Sequence, residues 1–196
     1  MIVSFEQMLE KAKQGEPMVL AGAAAQDVDT IKAMAAAEEA GMIRPVLVGD
    51  IPTIERVMKE EGVTFRNAEL VQADDMVEAC AKAVELVRLG KADFLMKGLV
   101  DTNIFLKAIL NKETGLPVHG LLSHVMTFDT LGAYHKLMIT SDGGMVLYPT
   151  LEQKIGLIKN CLPVAKALEI ENPKVAVLCA KAVSYTHLTL PTTSRV

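Results

Sequence analysis

In Pro45-Val46-Leu47-Val48-Gly49-Asp50-Ile51-Pro52, a short apolar run gives way within two residues to a helix start. The run is too short for a buried helix, and Gly49-Asp50 closes it, so it reads as a strand. Pro52 suits the first turn of a helix, and Gly62 suits its end. The same grammar appears on both sides. Upstream, Pro17–Gly22 is a short apolar strand, Asp27 or Asp29 can cap the next helix, and Gly41 stops it. Before that, Ser4-Phe5-Glu6-Gln7 reads as a capping box opening a helix to about Gln14. Downstream, Ala68–Val71 is a weaker strand, and Asp74-Asp75 opens a helix with Val77, Cys80, Val84 and Val87 on one face, ended by Gly90. Asp93–Lys97 is the next strand, and Asp101 or Thr102 caps the helix after it. Strands near 18–21, 45–48, 69–71 and 93–97 alternating with helices predict an α/β fold. Its sheet is expected to be mainly parallel, with helices on both faces.

After Pro117 the rhythm changes. Gly120–Met126 and Lys136–Thr140 are two extended runs expected to form an antiparallel pair or a β excursion. Thr150-Leu151-Glu152-Gln153 is a second capping box. Its helix carries Leu151, Ile155, Ile158 and Leu162 on one stripe, and Pro163 predicts a kink. Lys174–Ala180 reads as a last buried strand.

The 196 residues are 51% hydrophobic and 22% charged, enough apolar surface for a sizeable core, which excludes disorder over most of the length. A net charge of −4 argues against a nucleic-acid partner. No apolar run approaches the ~18 residues of a membrane span, so no membrane association is expected. The N-terminus shows no basic n-region or apolar h-region. With three widely spaced cysteines, Cys80, Cys161 and Cys179, forming neither a disulfide framework nor a zinc site, this predicts a cytoplasmic protein.

No G-x-G-x-x-G, Walker A, H-E-x-x-H or G-x-S-x-G occurs. The candidates for chemistry are strand-end turns, because ligands of open α/β sheets bind beyond the carboxyl ends of strands. Met96-Lys97-Gly98-Leu99-Val100-Asp101-Thr102 combines a cation, a glycine that lets backbone approach a ligand, and a helix N-terminus, which together suit a phosphate. A plain strand-to-helix turn with a solvated Lys97 explains the same letters. Ser123-His124 interrupts an apolar run. Either residue can donate to a phosphoryl or carbonyl oxygen and His124 can move a proton, although a hydrogen-bonded histidine at a strand edge accounts for it equally. Ser141-Asp142-Gly143-Gly144 is either a site turn, with Asp142 orienting a cation or a water, or a tight turn with two glycines.

Three blocks occur in order: Lys91-Ala92-Asp93-Phe94-Leu95-Met96-Lys97-Gly98, then Leu122-Ser123-His124-Val125, then Ile139–Gly144 with Tyr148-Pro149-Thr150-Leu151-Glu152-Gln153-Lys154. From residue 1 to about 182 the chain thereby resembles the phosphate acetyl/butyryltransferase family, and its butyryl-transferring members more closely. The resemblance implies two α/β domains of the isocitrate/isopropylmalate-dehydrogenase type with a cleft between them. It implies acyl transfer between coenzyme A and orthophosphate: butanoyl-CoA plus phosphate gives butanoyl phosphate plus CoA. Coenzyme A is then a substrate, with no metal or prosthetic group, and the full-length protein is a homo-oligomer. Ser123, His124 and Asp142 become the expected catalytic residues, and Lys97, Gly98, Thr102 and Gly143 the expected phosphate and substrate contacts. All are expected at one concave surface. Acetyl transfer, or a non-catalytic module that binds phosphate or acyl-CoA, are the alternative functions.

The expected domains are residues 1–122, a first α/β domain, and 123–182, the opening of a second whose remainder supplies further Ser, Arg and Asp groups of the cleft. Little turnover is expected of the 196-residue chain alone. Residues 183–196 are expected to be a tail foreign to the fold. Ser184–Val196 has no Asp or Glu, four Thr, two Ser and a Pro, and resembles translated adapter sequence. With no apolar periodicity, it has no face to bury. Deleting residues 184–196 is therefore expected to leave the thermal unfolding midpoint unchanged; a clear drop in calorimetry would contradict this.

Overall fold

The computed structural model describes residues 1–116 and 120–178; the tail from 183 and Cys179 lie outside them. The described residues pack as two units, one formed by residues 9–116 and the other by residues 1–8 and 120–178.

The first unit is a four-stranded sheet of β1 (Met18–Ala23), β2 (Ile43–Gly49), β3 (Glu69–Gln72) and β4 (Phe94–Lys97). The spatial order is β3-β2-β1-β4, with every pair parallel. All four strands fall where the apolar runs predict them. Strand alternation sorts the core into two layers. Leu20, Leu47, Leu70 and Met96 face α2 (Val28–Glu39) and α3 (Ile51–Glu61), where Ile31, Met34, Ile54 and Val57 cover them. Ala21, Ala23, Val46, Val48 and Leu95 face α4 (Met76–Arg88) and α5 (Thr102–Ile109) through Ala79, Cys80, Ala83, Ile104 and Phe105. Pro45 is tolerated inside β2 because the ladder to β3 begins one residue later, at Val46 opposite Glu69.

Aspartates start the helices. Asp27 accepts from Thr30 N at 2.9 Å, Asp50 from Thr53 N at 3.0 Å, Asp75 from Val77 N and Glu78 N at 2.8 Å each, and Asp101 from Asn103 N at 2.7 Å. Asp27, not Asp29, caps α2, and Asp101, not Thr102, caps α5. Gly62 ends α3 in the left-handed conformation at φ 65°.

One helix face differs from the expected stripe. α4 buries Ala79, Cys80, Ala83 and Val84, whereas Val77 is 62% exposed. The alanines let α4 settle closely onto Ala21 and Ala23 of β1, which turns Val77 outward to a groove shared with Ala81, Ile104 and Ala108.

The second unit carries the opening turn of α1 (Phe5–Lys13), with Ser4 Oγ accepting from Gln7 N at 3.3 Å and Gln7 Oε1 from Val3 N at 2.9 Å. Only the Ser4 half of the expected capping box forms, because the Gln7 side chain reaches one residue further back, to Val3 N and not to Ser4 N. Strands β5 (Met126–Phe128) and β6 (Met138–Thr140) pair antiparallel, Thr127 opposite Ile139, and α6 (Leu151–Ala167) follows. The first extended run is thus mostly not strand. Gly120–Val125 is irregular, because a side chain and not a ladder partner takes the backbone N–H of His124: Asp142 Oδ2 lies 3.1 Å away. The α6 stripe is also corrected. Leu157 and Ala165 are its buried residues, while Leu151 is 75% exposed and Ile155 and Leu162 are 46% exposed. Apolar residues lie on two sides of this helix; Leu157 and Ala165 mark the buried side, and Val164 packs against the cluster of Ile2, Leu137 and Leu168. Pro163 sits inside α6, which continues to Ala167. Residues 174–178 are exposed and form no strand, since no described segment lies alongside to complete a ladder.

Glu38 is the one buried carboxylate in the core of the first unit, 9% exposed. Its two oxygens accept the backbone N–H groups of Arg66 and Asn67, each at 2.8 Å, and so pin the approach to β3 against α2. Glu38→Ala is expected to cost about 2–3 kcal/mol in urea unfolding, the loss of two charge-assisted bonds in a site without room for bulk water. Glu38→Gln, which keeps one acceptor, should cost less; equal cost would overturn the assignment.

Candidate functional site

The strand order places a topological switch at β1. From it the chain moves outward to β2 and β3 on one side, then returns to put β4 on the other. In such sheets the crevice between the carboxyl ends of the two diverging strands is the natural ligand position. Here those ends are Ala23 and Lys97, partners in the register.

The turn after β1 is conformationally demanding. Ala24 has φ 55°, in the left-handed region, and is fully buried. Gly98 packs directly on it. Gly98 N donates to Ala23 O at 2.8 Å, and a Cβ at position 98 would collide with the carbonyl oxygen of Ala24. The absence of a side chain at Gly98 therefore serves the approach of β1, where the sequence reading gave it to a ligand. Asp27 ties the two turns together. Its Oδ1 caps α2 and its Oδ2 accepts from Leu99 N at 3.1 Å. Burial by itself would raise the Asp27 pKa, but hydrogen bonds from Thr30 and Leu99 outweigh it and hold the carboxyl below its ordinary value.

The Lys97 ammonium donates to Gly98 O at 3.2 Å and Val100 O at 2.9 Å. Two of its three protons are thus engaged with its own turn, which fixes the charge in place and leaves one donor. Burial pushes the nearby Cys80 thiol up, with the Lys97 charge pulling the other way, so this cysteine is a neutral core group. Thr102, exposed, is the first residue of α5 beyond the Asp101 cap. The arrangement offers an anion a fixed cation and a helix N-terminus.

The other candidates gather in the second unit. Asp142 Oδ2 accepts from the His124 backbone, and Oδ1 from Gly144 N at 2.6 Å and Met145 N at 2.8 Å. Burial would raise its pKa, yet these N–H groups together with that of Val146 bring it below the ordinary value. Asp142 is therefore an ionised clamp on the backbone and a poor proton acceptor. Gly143 passes beside the His124 ring, where a Cβ would sit 3.0 Å from Nδ1. Ser123, His124, Asp142 and Gly143 are thus brought together. The ring of His124 is exposed and unencumbered by the clamp, which holds only its backbone.

Two further polar groups stand beside these residues, Asn160, which no sequence motif marks, and Ser141 of the Asp142 turn. Asn160 Nδ2 donates to Leu121 O and to Ser123 Oγ, each at 2.8 Å. Ser141 Oγ is buried with no hydrogen-bond partner among the described residues. The only signal for Asn160 was an asparagine in mid-helix, where its propensity is poor. The Leu99 bond of Asp27, across 72 residues, left no signal at all. Among the described residues no three His, Cys, Asp or Glu stand close enough to hold a metal, and no helix is long and apolar enough to cross a membrane.

A family profile described as "Phosphate acetyl/butaryl transferase" matches residues 58–190. A phosphate butyryltransferase of Clostridium acetobutylicum is 41% identical over 180 residues, covering 92% of this chain and 60% of that protein. A phosphate acetyltransferase of Thermotoga maritima is 35% identical, with 89% and 58% covered. The chain thus spans about three fifths of the length of the curated relatives it matches. A crystal structure of a Streptococcus pyogenes phosphotransacetylase shares the fold at TM-score 0.75, 16% identity, over 90% of this chain and 62% of that one. A branched-chain phosphotransacylase from Enterococcus faecalis does so at TM-score 0.66, 24% identity, over 84% and 56%.

The depressed carboxyls set a pH signature. Asp27 and Asp142 both have folded pKa values below their unfolded ones, so the stability they contribute is full above about pH 4 and is lost as pH falls through the lowered values. Asp27→Asn and Asp142→Asn should each lower the thermal midpoint more at pH 7 than at pH 3. Equal lowering at both would show that charge plays no part.

Proposed function

The chain belongs to the phosphate acetyl/butyryltransferase family, and from that premise we propose that the whole protein moves a short-chain acyl group between coenzyme A and phosphate. Butanoyl-CoA is the expected donor, and phosphate acetyltransferases among the relatives keep acetyl transfer as the second reading. The observation that carries the proposal is the family match over 58–190, which includes both the Lys97 turn and the Ser123-His124 segment. The reading takes the fold as isocitrate/isopropylmalate-dehydrogenase-like. It takes residues 1–122 as the first α/β domain and 123–182 as the opening of the second. It expects a cytoplasmic homo-oligomer.

Each group then has a role fitted to its chemistry. Lys97 and the amide end of α5 at Thr102 hold phosphate oxygens, with Gly98 keeping the turn close to β1. In the CoA-forming direction the thiol proton passes to the His124 ring. The sulfur attacks the carbonyl carbon of butanoyl phosphate, and the tetrahedral oxyanion takes a hydrogen bond from Ser123. The C–O bond then breaks, and phosphate leaves with its electron pair. Asp142 holds the backbone that presents His124, and Gly143 leaves room for the ring. The reverse direction runs the same contacts with phosphate as nucleophile. Holding both substrates in line is worth roughly 7–11 kcal/mol of the barrier when both walls of a cleft are present.

The test is phosphate-dependent thiol release from butanoyl-CoA by this chain joined to the part of the Clostridium acetobutylicum relative that it does not span. Turnover is expected, with Lys97→Ala and Ser123→Ala each lowering kcat about 100-fold. A folded chimera without thiol release, or one indifferent to both substitutions, would sink the reading.

A further inference from the structure

Asn160 sits on α6, one side chain away from the Ser123 segment. Its amide nitrogen lies 2.8 Å from Leu121 O and 2.8 Å from Ser123 Oγ. A backbone carbonyl can only accept, so the Leu121 contact fixes which end of the amide faces this pair: it is the NH2 group. The contact to Ser123 is then one in which Asn160 donates and the serine oxygen accepts. A serine hydroxyl has one proton and two lone pairs. With a lone pair taken by Asn160, the proton of Ser123 points elsewhere, and no described residue accepts it. Asn160 and Ser123 are both only half-buried, so the proton is directed to a position a ligand can reach.

We propose that Asn160 is a positioning residue that polarises Ser123 and commits its hydroxyl to donate a hydrogen bond to an oxygen of the acyl phosphate. The inference rests on the acyl-transfer reading and adds to it the group that decides the direction of the Ser123 bond. Two rigid features support the geometry. The carbonyl of Leu121 anchors the amide from the same segment that carries Ser123. The neighbouring His124 backbone is held by Asp142, so the serine cannot drift from the amide.

Reversing the polarity tests it. In Asn160→Asp the carboxylate can only accept, so the Ser123 proton turns inward and is withdrawn from the ligand. Butanoyl phosphate is the probe, titrated calorimetrically into the 196-residue chain, Ser123→Ala, Asn160→Asp and the double variant, with thermal melts to establish folding. Each single change is expected to weaken binding about 10-fold, the size of one hydrogen bond to a charged oxygen. The double variant should be no weaker than either single. Unaltered binding by Asn160→Asp overturns the inference. So does a roughly 100-fold loss in the double variant, because the new charge would then act without Ser123. If Asn160→Asp does not fold, Asn160→Leu takes its place in the same cycle; it removes the donor without adding charge, and additivity with Ser123→Ala overturns the proposal as before. If the unaltered chain does not bind butanoyl phosphate, the same titrations are made on the chimera described above; absence of binding there as well overturns the inference, while thiol release by that chimera decides the acyl-transfer reading separately.

Discussion

The backbone of Gly98 rests on the carbonyl of Ala24, and the geometry of the first unit follows from that contact. It sets how closely β4 approaches β1 at their carboxyl ends. It also accounts for the left-handed Ala24, whose turn must present its carbonyl to Gly98 while sending Ala25 N to Val48 O at 3.1 Å. From this junction the Asp27 carboxylate reaches both α2 and Leu99, and Lys97 is held above its own turn by two carbonyls. A methyl group at position 98 would force the strands apart at the point where an α/β sheet binds its ligands. The cation proposed to meet phosphate is thus aimed by a backbone contact on the far side of the turn.

A division of labour among polar residues runs through both units. The acids act mainly on backbone: Asp27, Asp50, Asp75 and Asp101 start helices, Asp142 closes a turn, and Glu38 secures a loop. A carboxylate surrounded by N–H groups is stabilised in its charged form, which makes it a good fastener and a weak base. In the proposed site, proton transfer and anion binding fall to other groups: the His124 ring, the Ser123 hydroxyl and the Lys97 ammonium. The acidic sequence therefore does not produce an acidic chemistry, and the net charge says little about the ligand.

Local grammar was legible and distance was not. The four parallel strands and the helix caps could be read because each depends on neighbours within four residues: an apolar run, a turn residue, an aspartate before a helix. Helix faces were read less well. In α4 and α6 several apolar residues lie on adjacent stripes, and which stripe is buried depends on the shape of the opposing surface, small at Ala21 and Ala23 and bulky at Leu137. The extended run at 120–126 failed for a different reason, since an aspartate eighteen residues away takes the N–H that a strand would have paired. At the candidate site the sequence offers polar residue types beside apolar runs and turns. Their partners were invisible: the Asn160 amide, the Leu99 amide and the Ala24 carbonyl are all brought in by the fold, over separations that no spacing rule covers.

The lengths of the strands have a consequence for how the protein behaves in a crowded solution. The two long strands, β1 with six residues and β2 with seven, lie inside the sheet, and the two outer ones have four residues each. An open sheet margin is a template on which another chain can add a strand, and its danger grows with its length and flatness. Here one margin begins with Glu69 and the other ends with Lys97, so each offers a short ladder with a charge at one end. Within the first unit the Val46-Leu47-Val48 run, apolar and rich in β-branched residues, is enclosed on both sides before it can seed growth. For this sheet, protection from aggregation is a property of strand order.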